Sequence, residues 1–387
     1  MQLSLTASEI TLREEVRTFL DARAPHADDI PAALDERTEF LRGWQRQLRD
    51  AGLVALSWPP EFGGRGATMG EQMVVDMEMA RWGAPELVGA VGLSVIGPSL
   101  IQYGSPGQKL RYLGPLLSGE ELWCQGFSET DAGSDLASLR TRATDAGDHF
   151  VLSGHKIWTT MAQFARWCVV LARTQFDGPA HRGISYLIVD LQSPGIEVRP
   201  IILSTGEGEF GEVYFDNVLV PKENLLGPLH GGWAIAMHTL AHERGPYAMA
   251  RQVVLRVALD RAIAEAHQIH RGGRPAIEDR HALDGLVGAH VMVEVLKHQC
   301  YRSVGRIIQG GEHGFEASID KVALALAEQR VSDAALDVLG AHAPRGAGTD
   351  DWHRFYLYGR AASVYGGSAQ IQKNIISQRI LGLPRSA

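Results

Sequence analysis

The spacing of apolar positions changes twice along the chain. Near the start, Thr6 and Glu9 stand at capping-box distance, and Leu12, Val16, Phe19 and Leu20 follow at helical intervals. A second helix is predicted to end near Gly52, and Pro59 to Gly66 reads as a loop before a further helix over roughly 68–82. Gly63, Gly64 and Gly66 could suggest a phosphate loop, but no strand precedes them and no Lys-Ser/Thr follows, so a plain loop is expected. After about residue 120 the pattern shortens to β-type runs at 122–127, 149–152, 167–172, 184–190 and 213–215. Turn residues separate them, including Asp145 to Asp148 and Ser193-Pro194-Gly195. From Gly231 the long helical period returns. Ala250, Val253, Val254, Val257 and Ala258 make one apolar stripe, and Val322, Leu326 and Leu336 mark a second within 319–339. Arg271-Gly272-Gly273-Arg274-Pro275 breaks the first of these helices.

The order is therefore helical, β, helical, an α+β chain with divisions expected at 1–120, 121–228 and 229–387. The middle part reads as a small antiparallel barrel or sandwich of about a hundred residues. At 387 residues the chain exceeds one ordinary hydrophobic core, and 45% hydrophobic with 21% charged residues is a globular balance.

The net charge of −8 excludes a nucleic-acid partner, whose phosphates need a basic face. No stretch approaches the ~20 apolar residues of a membrane span, and the first residues carry no signal-peptide pattern. Cys124, Cys168 and Cys300 are too few and too scattered for a disulfide framework or a thiolate zinc site, so each is expected in a core. A cytoplasmic enzyme or binding protein is the expected class.

Two stretches carry candidate chemistry. Gln125 to Asp135 leaves a β-run and enters a loop of small polar residues, which offers N–H groups and hydroxyls to an anionic ligand or forms a plain surface turn. Ser153 to Thr160 sets Trp158 beside two hydroxyls, either as a plane against a flat cofactor or as a core tryptophan. His238 and His242 stand four apart beside Glu243, but no third ligand or outer shell supports a metal there, and none is expected.

Taken together these stretches are more specific. Ser128-Glu129-Thr130-Asp131-Ala132-Gly133-Ser134-Asp135 and Gly154-His155-Lys156-Ile157-Trp158-Thr159-Thr160 resemble the middle-domain motifs of the acyl-CoA dehydrogenase family, with Ser128 in place of a threonine. The terminal signature is similar over Tyr365-Gly366-Gly367-Ser368-Ala369-Gln370 to Ile376 and over Arg379-Ile380-Leu381-Gly382, and the likeness extends to Pro60–Gly66 and 104–120. This resemblance implies an N-terminal helical domain, a middle antiparallel β-barrel domain and a C-terminal four-helix bundle, with FAD held between the barrel and the bundle. It also implies that Phe127 and Ser128 bring backbone groups to the flavin ring. Gly133 and Ser134 belong to the loop at the FAD pyrophosphate, which Ser134 would bond. Trp158 would cover one flavin face, Thr160 would bond the ring edge near N5, and Ser368 and Gln370 would contact FAD further along.

The departures from the family pattern are informative. The family often carries its catalytic glutamate where this chain has Gly366, while other branches take the base from a Glu-Arg pair on a C-terminal-domain helix, matched here by Glu243-Arg244. Glu243 is thus the implied base, with Arg244, Tyr365 and Gly366 toward the substrate. Its surroundings, 234–250, are apolar and small, and Pro246 would bend the turn before it, although an ordinary surface glutamate is the alternative. The family's Arg-x-x-Phe-Gly element is replaced by His270 to Pro275, and its Gln-x-x-Gly-Gly element by Asp337-Val338-Leu339-Gly340-Ala341. Such substitutions resemble bacterial branches acting on bulky thioesters such as sterol side chains, some of them mixed tetramers. The implied activity is oxidation of an acyl-CoA to its 2,3-enoyl form, with electrons passed to an electron-transfer flavoprotein. The implied assembly is a homo-oligomer (dimer or tetramer) or a heterotetramer with a second family subunit. A non-catalytic partner subunit and an oxygen-using oxidase or monooxygenase are the alternatives.

Overall fold

The capping box read at the start is formed: the Thr6 hydroxyl accepts the Glu9 N–H and the Glu9 carboxylate accepts the Thr6 N–H. It opens α1 (Ala7–Arg23), whose Leu12, Val16 and Leu20 are buried. In this computed structural model residues 5–309, 314–340 and 351–384 are described, with side chains at all of them except 242–247 and 351. α2 (Leu34–Asp50) and α3 (Met69–Trp82) follow, the latter opened by a second capping box at Thr68 and Glu71. A π-helical turn, Gly92–Ile96, runs into α4 (Gly97–Tyr103), and Ser105 caps α5 (Pro106–Ser118).

The middle domain contains β1 (Trp123–Gly126), β2 (Arg142–Asp145), β3 (His149–Thr160), β4 (Trp167–Arg173), β5 (Ile184–Asp190), β6 (Ile196–Ile201), β7 (Phe210–Pro221) and β8 (Leu225–Leu226). They form one sheet in the order β6-β7-β3-β2-β4-β5-β8, with β1 added alongside β4. The sheet is mixed where an antiparallel one was expected, because β4 runs parallel to both β1 and β2. β2 and β6 were not legible: β2 is four mostly exposed residues, and β6 alternates on the sheet's edge.

β4 and β5 are buried on both faces, which explains their continuous apolar runs. Alternation sends Val169, Leu171, Ile184, Tyr186 and Ile188 into a core shared with α1, α2 and α5. Cys168, Val170, Ala172, Leu187 and Val189 face the sheet's own core instead. The N-terminal helices are thereby fixed on the sheet's outer face. All three cysteines are buried and free.

α6 (Gly232–Gln268) starts against β5, where a Cβ on Gly232 would lie 2.5 Å from the Ser185 carbonyl carbon. It continues through Pro246 as one helix of 37 residues. Gly272 and Gly273, with φ of +56° and +85°, make the two-residue turn between β9 (His270–Arg271) and β10 (Arg274–Pro275). α7 (Arg280–Ile308) and α8 (Ala317–Leu339) complete the main bundle, and α9 (Asp351–Ala361) and α10 (Ala369–Ile375) lie against α8.

Both expected bundle stripes differ from the buried seams. On α6 the seam is Leu255, Leu259, Ala262 and Ala266 while Val257 is exposed; on α8 it is Leu324, Ala327, Val331, Ala335 and Val338 while Leu326 is exposed. The seams mix leucine and valine with alanine, and the expected stripes are offset from them: Val253 is buried, while Val257 and Leu326 face outward. No helix among the described residues is long and apolar enough to cross a membrane.

Candidate active site

β3 leaves its ladder where the candidate plane is needed. Its pairing with β7 shifts between Lys156 and Thr159, so the strand bulges there. A bulge re-aims a side chain. Trp158 accordingly takes a φ of +59° and leaves its indole 55% exposed, with Phe210 edge-on at 6.2 Å. Left-handed backbone at a bulky residue is strained and has to be held by its surroundings. Here the hold comes from the β6–β7 hairpin: Met161 N–H donates to the Glu209 carbonyl at 2.6 Å and Gln163 donates to the Gly208 carbonyl at 2.5 Å. Glu207 of that hairpin pairs with Arg37 at 2.9 Å and with Arg354, joining all three domains.

The preceding loop is tied to the same strand. Glu129 and Ala132 exchange N–H···O bonds of 3.0 and 3.1 Å, closing a tight turn that leaves Gly133 and Ser134 exposed. Ile157 N–H donates to the Ser128 carbonyl at 3.0 Å. Lys156, fully buried, donates to the Phe127 carbonyl at 3.0 Å and to Glu129 at 2.8 Å. Burial pushes the Lys156 ammonium down to about 8 against the pull of Glu129. For Glu129 burial acts upward, but Lys156 and the Arg140 N–H outweigh it, and the carboxylate lies below its ordinary range.

Phe127 and Ser128 are thereby tied to the strand that carries Trp158 and Thr160, with Gly133 and Ser134 on the turn that follows, a candidate seat. Among the described residues nothing accepts the Ser128 N–H, and the Ser134 and Thr160 hydroxyls bond no protein group. An open aromatic face beside unused donors fits a flavin ring and its phosphates.

The third motif sits elsewhere in the bond network. Tyr365 lies under the buried Lys321 ammonium at 3.8 Å, Gln372 donates to the Gly366 and Gly367 carbonyls, and Ser368 caps α10 by accepting the Ile371 N–H. Gln370 is exposed on the first turn of α10. No hydrogen bond between described residues joins this segment to 127–160. Glu243 and Arg244 lie within α6, but their side chains, with that of His242, are outside the described residues. One turn earlier Thr239 anchors the helix: it bonds Ser99 of α4 at 2.8 Å and Tyr186 of β5 at 3.3 Å, and His238 bonds Ser99 at 3.1 Å.

Family models for the acyl-CoA dehydrogenase N-terminal, middle and C-terminal domains match residues 6–120, 124–218 and 230–381 in that order. The chain belongs to the acyl-CoA dehydrogenase family. It is 38% identical over 361 residues to the acyl-CoA dehydrogenase IpdE1 of Mycobacterium tuberculosis, covering 92% of this chain and 91% of that one. Among solved structures it is similar to the Tcur3481-Tcur3483 steroid ACAD, with a TM-score of 0.86 at 28% identity over 100% of each chain. The ChsE4-ChsE5 complex from Mycobacterium tuberculosis gives 0.84 at 28%, again over 100% of each chain. This acyl-CoA dehydrogenase is thus an oxidoreductase of a flavoprotein family.

Glu129 and Lys156 lie within the two motifs, but their pairing carries no role legible from the motifs alone. The signal was present: Lys156 shares the parity of Phe150 and Leu152, the inward positions of β3. The contact between the two weak family elements is not legible there either. In this acyl-CoA dehydrogenase Arg271 donates to the Val338 carbonyl at 2.8 Å and to that of Asp337, capping the end of α8.

Proposed function

We propose that this acyl-CoA dehydrogenase uses FAD to convert an acyl-CoA thioester to its 2,3-enoyl form. The observation that carries the proposal is the seat itself, in which Ser128, Ser134, Trp158 and Thr160 present unused donors and an open plane on a cross-tied frame. When bound, the flavin would accept the hydride that leaves the β-carbon. The chain's own residues do the rest. Glu243 takes the α-proton, and the Gly366 N–H faces the thioester oxygen where charge develops, a donor that glycine supplies as well as glutamate. Trp158 shields one face of the ring, Ser134 holds the pyrophosphate, and Ser368 and Gln370 meet FAD beyond it. Arg244 and Tyr365 flank the thioester. The similarity to a protein named as a steroid ACAD favours a bulky, steroid-type acyl group.

Electrons then pass to an electron-transfer flavoprotein in the cytoplasm. An oligomer is the working form. On α7, Leu283, Val287, Val291 and Val295 recur every four residues and are 41%, 54%, 53% and 50% exposed, a stripe suited to another subunit. A panel of acyl-CoAs incubated with an artificial acceptor should yield a product lighter by two hydrogens. Peroxide formation in air at the same rate would instead indicate an oxidase.

A second reading, a non-catalytic subunit of a mixed assembly, is favoured by Gly366 and by Arg271 being spent on α8. It predicts no turnover by the chain alone and full turnover once a second family subunit is added.

A further inference from the structure

Lys156 occupies a place where an ammonium is costly. It is fully buried, and a charge there must be paired and hydrogen-bonded. The Glu129 partner is itself nearly buried and also accepts the Arg140 and Thr141 N–H groups at 2.6 and 2.9 Å. A buried ion pair of this kind is often no more stabilising than two apolar residues of the same shape. Stability alone therefore does not account for a lysine at this position.

The second bond of Lys156 suggests what does. Its Nζ donates to the Phe127 carbonyl, and the other end of that same peptide is the Ser128 N–H, which no described residue accepts. A cation on the oxygen of a peptide polarises its N–H, and in a low-dielectric interior this effect is transmitted strongly. The next peptide is held as well, by the Ile157 N–H on the Ser128 carbonyl, so the chain is restrained on both sides of the Ser128 Cα.

We propose that Lys156 is a positioning residue for the flavin: through the Phe127–Ser128 peptide it holds and strengthens the Ser128 N–H as a donor to the ring, and so favours the reduced, more negative flavin over the oxidised one. This rests on 127–134 and 158–160 being the flavin seat. No bond is made or broken by Lys156; its contribution is a fixed charge aimed where charge builds up.

The test uses the full chain loaded with FAD. Lys156→Met with Glu129→Gln removes both charges while keeping an acceptor for Arg140 and Thr141. The expected result is an unchanged thermal midpoint and oxidised-FAD affinity within a few-fold of the parent. The equilibrium constant for two-electron reduction, read against a redox dye, should fall about tenfold, equivalent to ~30 mV. Lys156→Arg should recover most of that loss. A parental reduction constant in the double variant overturns the proposal. So does an equal loss of oxidised and reduced affinity, which is the signature of a merely structural role. Should the double variant not fold, Lys156→Gln, which keeps a donor without the charge, carries the same expected fall and the same overturning result. Failure of the parent to bind FAD at all would refute the seat, a different outcome from either of these.

Discussion

The segments 127–160 and 365–370 carry equally recognisable motifs, yet they are held in different ways. In the first, backbone groups are backed from several strands: Lys156 on Phe127, Ile157 on Ser128, and the β6–β7 hairpin on Met161. In the second, Gly366 and Gly367 are held by Gln372 six and five residues away, and Ser368 by its own helix. A seat tied across strands constrains each residue through fixed partners. The Gly366-Gly367 turn, tied by its near neighbour Gln372, presents no carboxylate of its own. The proton acceptor can then be supplied by another element, and the placement of Glu243 one turn after the Thr239 anchor is consistent with that division.

The largest effect should come from the separated base. Glu243→Gln keeps the fold and the flavin but slows flavin reduction by about 10²–10⁴, roughly 3–5 kcal/mol of barrier. Stopped-flow mixing with an accepted thioester reads this directly. Reduction within a few-fold of the parent would place the base elsewhere and undo the comparison.

Next is the cross-tie itself. Lys156→Met alone leaves Glu129 charged and unpaired in the interior, which should cost about 3–5 kcal/mol of stability. Chemical denaturation measures it, and a loss below 1 kcal/mol would mean that the seat is not braced by this pair.

Ser134→Ala touches only one contact of the seat. Flavin retention should weaken by about 1–3 kcal/mol, the usual range for a hydrogen bond to a charged group. Unchanged flavin content after dialysis would argue against the pyrophosphate assignment.

The last effect belongs to the helical side and is read through pH. Asp76 on α3, which packs against α6, keeps some solvent contact, yet burial pushes its pKa from an ordinary 3.8 up to about 7 despite the bond from Gln72. Because the folded value is the higher one, the stability it contributes is complete below pH 4 and is lost as pH rises through about 7. Asp76→Asn should flatten the thermal midpoint over that window. An identical pH profile for the two proteins would show that Asp76 is solvated.

Much of this was legible beforehand because the residues concerned report local chemistry. The Thr6–Glu9 capping box, the Gly272-Gly273 turn and the buried strands β4 and β5 all declare themselves within a few residues. What was not legible depends on partners far away in sequence. The parallel contacts of β4 follow from how β1 and β2 are threaded, which no local alternation records. The bundle seams mix leucine, valine and alanine, and which face of a long helix is covered depends on its neighbours, so the expected stripes were offset from them. At the candidate site, the motifs singled out Ser134, Trp158 and Thr160 as expectations. The bulge that turns Trp158 outward and the pairing of Lys156 with Phe127 and Glu129 needed the sheet's register.

The central claim, that this chain alone forms a flavin seat and supplies its own base, is tested most directly by the visible spectrum of the protein purified by itself. The account predicts a yellow protein with stoichiometric FAD that bleaches on anaerobic addition of an acyl-CoA it accepts. A colourless protein that takes up no added FAD would contradict it.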